Sequence, residues 1–132
     1  MPFANPSEKS MKYLFLAYRD EKQWAALSAT ERDTLEAACQ ATEQELRQSG
    51  HLFAVEDIQN SDAAITVRIV NDLLSLTDGP LAETQEELSQ LFFINARDLN
   101  EAIRLASTMP HARRGPIEVR PVVAFDRPSK SN

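Results

Sequence analysis

Residues 64–78 constrain the fold of this chain more than any other stretch. Ala64-Ile65-Thr66-Val67-Arg68-Ile69-Val70 is rich in β-branched residues and alternates Ile65, Val67 and Ile69 against Thr66, Arg68 and Val70, the two-residue period of a strand. Asn71-Asp72 is a hairpin-type turn into a return strand, Leu73-Leu74-Ser75-Leu76-Thr77-Asp78. Gly79-Pro80 ends it, because proline lacks the N–H that a ladder needs and glycine opens conformations barred to other residues. The carboxylate of Asp78 is thereby left at the end of a strand, and Glu83 and Thr84 open a polar stretch that can fold back towards it. Such a position suits chemistry and equally suits turn capping.

On either side of this hairpin the pattern predicts two βαβ halves. Lys12 to Tyr18 is a nearly continuous apolar run, as in a central strand. Ser28-Ala29-Thr30-Glu31 matches a capping box. Leu35, Ala38, Cys39, Thr42 and Leu46 then recur on one helical face until Gly50 stops the helix. Leu52 to Ile58 reads as a strand, Glu83 to Gln90 as a polar stretch with room for one helical turn, and Leu91 to Ile94 as a short strand. Asp98 and Glu101 repeat the cap-and-reach-back pattern ahead of Leu99, Ala102, Ile103 and Ala106, a second amphipathic helix closed by Pro110. Ile117 to Val123 is the last strand. The order is the ferredoxin-like βαββαβ of an α+β domain with an inserted β-hairpin, its sheet antiparallel and both helices on one face. Phe15, Phe92, Phe93 and Val119 are too many to leave the other face wet, so a face-to-face homodimer is expected.

Residues 11–124 make a single domain, flanked by disordered tails at 1–10 and 125–132. With one cysteine, Cys39, there is no disulfide framework, and a reducing cytoplasmic location is the simplest reading. The first ten residues have no apolar core of a signal peptide, and no run approaches the roughly 18 apolar residues of a membrane span. A net charge of −6 argues against direct nucleic-acid binding. The charge is uneven: 9 basic residues face 18 acidic ones through Pro110, and 5 face 2 beyond it. Arg113, Arg114 and Arg120 therefore read either as a local anion patch or as a solvated basic end.

No His-x-x-x-His or Cys-x-x-Cys spacing points to a metal, and no glycine-rich loop to a phosphate, so no cofactor is expected. Cys39, on an apolar helical face, reads as a structural thiol. His51 follows the Gly50 stop and reads either as a general base needing a carboxylate, with Asp78 its natural partner, or as an exposed turn residue. Arg68, mid-strand, either offers its planar fork to an anionic oxygen or faces water beside an acidic neighbour. Glu118 and Arg120 share one face of the last strand as an ion pair. Tyr13 and Trp24 read as core or lid aromatics, Tyr13 being the one that a substrate pocket would use.

Lys12-Tyr13-Leu14-Phe15-Leu16, Trp24 with Leu27-Ser28 and Glu31-Arg32, Thr66-Val67-Arg68, Asp78-Gly79-Pro80-Leu81-Ala82-Glu83-Thr84 and Ile117-Glu118-Val119-Arg120-Pro121-Val122 together resemble the YCII-related proteins of the DGPF type. The likeness runs in order from about Met11 to Val123. It implies a ferredoxin-like domain that forms a dimeric α+β barrel. For function it implies less. Most such proteins have no established activity, many are encoded near alternative sigma factors, and a His–Asp pair in a cleft has been proposed as catalytic in the wider group. Asp78 falls on the family's turn aspartate, His51 is held only as a hypothesis for the histidine, and Leu81 replaces the motif's usual Phe. The resulting expectation is a small dimeric protein, a lyase or isomerase acting on a small aromatic or enolisable anion through Asp78, His51, Arg68 and Tyr13. Its alternative is a non-catalytic ligand-binding or regulatory module of sigma-factor control.

Overall fold

The computed structural model describes residues 10–123; apart from Ser10, the two expected tails lie outside them. Strand β1 (Met11–Asp20) leads through a short helix α1 (Glu21–Ala26) into the long helix α2 (Ala29–Gln48). Strand β2 (Leu52–Asp57), the hairpin β3 (Ile65–Val70) and β4 (Leu73–Asp78), and strand β5 (Glu86–Ala96) follow. Helix α3 (Leu99–Thr108) and strand β6 (Ile117–Pro121) complete the domain. The main sheet has the order β2-β5-β1-β6, antiparallel throughout, and β3-β4 forms a separate two-stranded sheet. This is the ferredoxin-like α+β arrangement with a hairpin inserted between its second and third sheet strands.

The helix ends are set by the residues that mark them in sequence. Ser28 Oγ accepts the Glu31 amide at 3.0 Å while Glu31 Oε1 accepts the Ser28 amide at 2.8 Å, a complete capping box. At the other end of α2, Gly50 takes φ +83, the Gly50 amide bonds Arg47 O, and the His51 amide bonds Leu46 O. These two bonds form a Schellman motif, which turns the chain sharply back towards the sheet. Asp98 caps α3 by accepting the Glu101 amide at 2.9 Å. In the hairpin, Asn71 and Asp72 both take positive φ, 52 and 64, the primed turn whose twist matches its strands.

Strand alternation decides which side chains meet the helices. Tyr13, Phe15 and Ala17 of β1 and Phe92, Ile94 and Ala96 of β5 are buried, packed with Leu46, Leu52, Ala102, Leu105 and Met109. Three of the four residues expected to need cover on the open sheet face are therefore inside: Phe15 and Phe92 are fully buried, and Val119 packs on the same cluster. Phe93 does lie on the opposite face, with Leu91 two residues away on its own strand and Leu14 and Leu16 across the ladder. That face remains only partly covered.

Two elements differ from the sequence pattern. The stretch expected to hold a helical turn instead belongs to β5 from Glu86 onward, because its polar residues find ladder partners on both sides, Glu87 with Arg19 and Gln90 with Asp57. A register shift between Ala17 and Tyr18 leaves Ser89 as the extra residue, and its hydroxyl donates to Ala17 O at 3.1 Å. Trp24 sits in α1 with the Arg19 guanidinium 4.9 Å from its ring centroid.

Candidate functional site

The β5 extension and the hairpin base enclose a cleft of about 770 Å³. One wall is the segment that follows Gly79, namely Pro80, Ala82, Glu83 and Thr84. The other is the connection from Ile58 to Ala64, and Tyr18, Glu86, Glu87 and Leu88 supply the floor. The walls are tied together: Glu87 Oε1 accepts the Ser61 amide at 2.9 Å, the Gly79 amide donates to Ala64 O at 2.8 Å, and Thr66 Oγ1 donates to Gly79 O at 2.9 Å. Thr84 Oγ1 donates to Glu86 O, holding the wall from Pro80 to Thr84 to the start of β5. A smaller lobe of about 340 Å³ continues past Tyr18 and Thr84 to Pro116, Ile117 and Glu118.

Tyr18 separates the two lobes. The bulge at Ser89 shifts the ladder partners of β1 at this point, and the Tyr18 ring lines both cavities. Its Oη donates to Glu118 Oε1 at 3.1 Å, and burial, then this carboxylate, raise its pKa above the ordinary phenol value. The phenol keeps its one proton and gives it to Glu118, which leaves the lone pairs of Oη to face the lobes as acceptors. Among the described residues, three carboxylates, Glu83, Glu86 and Glu87, line the larger lobe, and no Lys, Arg or His does.

The four residues singled out in the sequence fall in different places. Asp78 is exposed at the end of β4, opposite Ile65. Arg68 is exposed in mid-β3, opposite Ser75. Strand pleating therefore points Arg68 and Asp78 to opposite faces of the hairpin, since 65 and 68 differ by an odd number of residues. Tyr13 is buried in the core. Its Oη reaches Met11 Sδ at 3.8 Å, and burial, then the Asp98 charge, raise its pKa.

His51 is 0% exposed, so it is not an exposed turn residue. The Schellman turn folds it inward, where Nδ1 lies 2.7 Å from Ser49 Oγ and Nε2 lies 3.7 Å from Glu101 Oε1. Burial lowers its pKa and the Glu101 carboxylate opposes that shift. Glu101, itself buried, also accepts the Arg97 amide at 2.7 Å and Arg97 Nη1 at 3.4 Å. The structure does not bring His51 to Asp78. His51 O accepts the Asn95 amide near the end of β5, whereas the cleft sits at Glu86 to Leu88, so about 25 Å of strand separates them at roughly 3.3 Å per residue.

Two further buried polar groups had no marker in the sequence. His111 lies within the core edge-on to Phe92, ring centroids 5.0 Å apart, with Nε2 2.8 Å from Glu43 Oε2. Arg114, expected with Arg113 and Arg120 at a basic surface, turns inward instead and bonds Glu36 Oε1 at 3.1 Å and Gln90 Oε1 at 2.5 Å. Arg120 pairs with Glu118 at 3.3 Å, as the alternation indicates. Burial pushes the Cys39 thiol up to about 11, in keeping with a structural role. Among the described residues no three His, Cys, Asp or Glu side chains converge as metal ligands, and no helix is long and apolar enough to cross a membrane.

A family model of the YCII-related domain matches residues 11–126. An uncharacterised protein of Rhizobium meliloti (strain 1021) is 31% identical over 117 residues, which is 87% of this chain and 94% of that protein.

Proposed function

The chain belongs to the YCII-related family, and from that premise we propose that it is a homodimeric, cytoplasmic small-molecule-binding protein whose ligand occupies the cleft beneath the hairpin. The single observation that carries this reading is the cleft itself. It has the size of a small-molecule site, about 770 Å³, and mixes an aromatic ring and apolar wall residues with a few polar groups. The lining of Tyr18, Glu83, Glu86 and Glu87 favours a ligand that donates hydrogen bonds or carries positive charge. An enolisable anion would meet carboxylates and no cation there. The turn at Asp78-Gly79-Pro80 serves the site by setting the direction of the wall from Pro80 to Thr84.

A binding or regulatory module is favoured over a lyase or isomerase. A His–Asp catalytic pair needs hydrogen-bond reach, and His51, buried beside Glu101, is separated from the cleft by most of β5. Homodimerisation through the open sheet face would cover Leu14, Leu16, Leu91 and Phe93. The test is a thermal-shift screen with small aromatic amines, neutral aromatics and aromatic carboxylates, run on the wild type and on Ala82→Trp, which fills the cleft. Amines or neutral compounds should raise the melting temperature of the wild type only. Stabilisation by carboxylates alone, equal responses in Ala82→Trp, or no response in any class would sink the reading.

A further inference from the structure

The hairpin β3-β4 carries an apolar face that none of the described residues buries. Cross-strand pairing puts Ile65, Val67 and Ile69 on the same side as Leu74 and Leu76, and these five side chains are 59–65% exposed. Thr66, Arg68, Ser75 and Thr77 occupy the other side. No residue from Ile65 to Asp78 is buried. An isolated two-stranded hairpin is marginal in water, yet this one gathers five large apolar side chains on one side, with Asp78 at its base, while the other side is polar except for Val70 and Leu73 beside the turn. The same molecule has a second partly covered apolar surface, the open sheet face with Leu14, Leu16, Leu91 and Phe93.

We propose that the hairpin is an exchange arm, whose apolar face docks on the open sheet face of a second copy of this chain while that copy's hairpin docks reciprocally. This specifies the homodimer proposed above and rests on that part of the reading; it is independent of the ligand. The areas fit. Five such side chains expose on the order of 500 Å², near the top of the range of about 300–600 Å² for the largest patch on an ordinary monomer. The four receiving side chains are only partly exposed and offer about half that area. Two hairpins and two receiving faces therefore bury on the order of 1,500 Å², against about 1,200–2,000 Å² for a stable interface. Reciprocal docking is also closed, as a two-fold dimer must be. With a net charge of −6 on each copy, an apolar contact is the kind of association that does not depend on opposite charge.

Sedimentation velocity tests the arm. The wild type should be a dimer at tens of micromolar. Val67→Glu with Leu76→Glu, a cross-strand pair on the apolar face, should weaken it by at least roughly 100-fold with an unchanged circular dichroism spectrum. Ser75→Glu, on the opposite face, should leave it intact. Leu16→Glu, on the receiving sheet, should dissociate it. If Leu16→Glu yields monomers and the hairpin variant stays dimeric, the arm is refuted and the sheet-face dimer stands. If the wild type is monomeric, both fall. A second measurement needs no destabilising charge: Leu76→Cys protein is mixed with Leu16→Cys protein and treated with a short bis-maleimide, Cys39 being buried. A mixed cross-linked dimer supports the proposal. Cross-linking of Leu76→Cys to itself, or none at all, overturns it.

Discussion

Gly115 offers the sharpest test of how the strands around Tyr18 are packed. A Cβ there would lie 2.2 Å from Tyr18 O, 2.8 Å from Tyr18 C and 3.1 Å from Arg19 Cα, all backbone atoms with no side-chain rotamer to yield. Gly115 is not among the positive-φ residues, so its requirement is for space and not for conformation. Restoring ordinary contact for Gly115→Ala moves the 114–116 segment about 1.2 Å from β1. That segment is held by two backbone bonds, Tyr18 N to Pro116 O at 2.9 Å and Asp20 N to Arg114 O at 3.1 Å. Losing both costs about 2 kcal/mol, and the overpacking about 1–3 kcal/mol more. A gain of about 0.4–1 kcal/mol from a stiffer unfolded chain offsets part of this. The net is about 2–4.6 kcal/mol, or a melting temperature about 8–18 °C lower at about 4 °C per kcal/mol. Differential scanning calorimetry reads it directly. A variant melting within about 2 °C of the wild type would behave like an ordinary surface substitution and refute the argument. Gly79 is the converse case, with φ +103 and open space around it. Gly79→Ala should cost only the strain, about 1–2 kcal/mol.

Three other outcomes follow from the buried groups. His51 has its pKa lowered in the folded state by burial, from an ordinary 6.5, so the unfolded chain takes up the proton first. Its contribution is whole above 6.5 and is lost as pH falls from there through the folded pKa; melting temperatures measured between about pH 7.5 and 5.5 should fall less steeply in His51→Gln, and an identical slope would count against the assignment. Cys39, with its thiol pushed up to about 11 and out of contact with solvent, should react with a thiol reagent at neutral pH only after denaturant unfolds the domain. Reaction in the native protein at the rate of free cysteine would contradict its placement. Phe92→Ala removes a fully buried ring packed edge-on against His111 and should cost about 3–5 kcal/mol in urea unfolding; a loss under about 1 kcal/mol would mean that the core readily collapses around it.

What the sequence reveals is mostly local. Ser28 with Glu31, Gly50, Asp98, and the alternation of Ile65, Val67 and Ile69 each encode an element through a bond or period contained within a few residues, and each element forms. The start of β5 is different. Glu86 to Gln90 is polar, and it becomes a strand because Tyr18 and Asp57 lie beside it in space. Tyr18 is hidden for the same reason: a continuous apolar run does not say which ring meets the cleft, and the bulge at Ser89 adjusts that. His51 and Arg114 go inward because the chain turns at Gly50 and returns past Gly115, bringing carboxylates from distant helices to them. The opposition of Arg68 and Asp78, by contrast, is legible in advance. A two-residue turn at Asn71-Asp72 fixes the register, and parity then sends the two side chains to opposite faces.

The hairpin contributes no buried side chain to the domain that carries it. Its substitutions therefore fall outside the constraint that close packing places on Phe15 or Ile94, where one methylene is felt. A family built on this plan can vary its arm, and with it the surface it recognises, without solving its core again. The wall of the cleft begins where the arm ends, at Gly79. Variation in the arm is thus transmitted, through three residues of turn, to whatever the cleft holds.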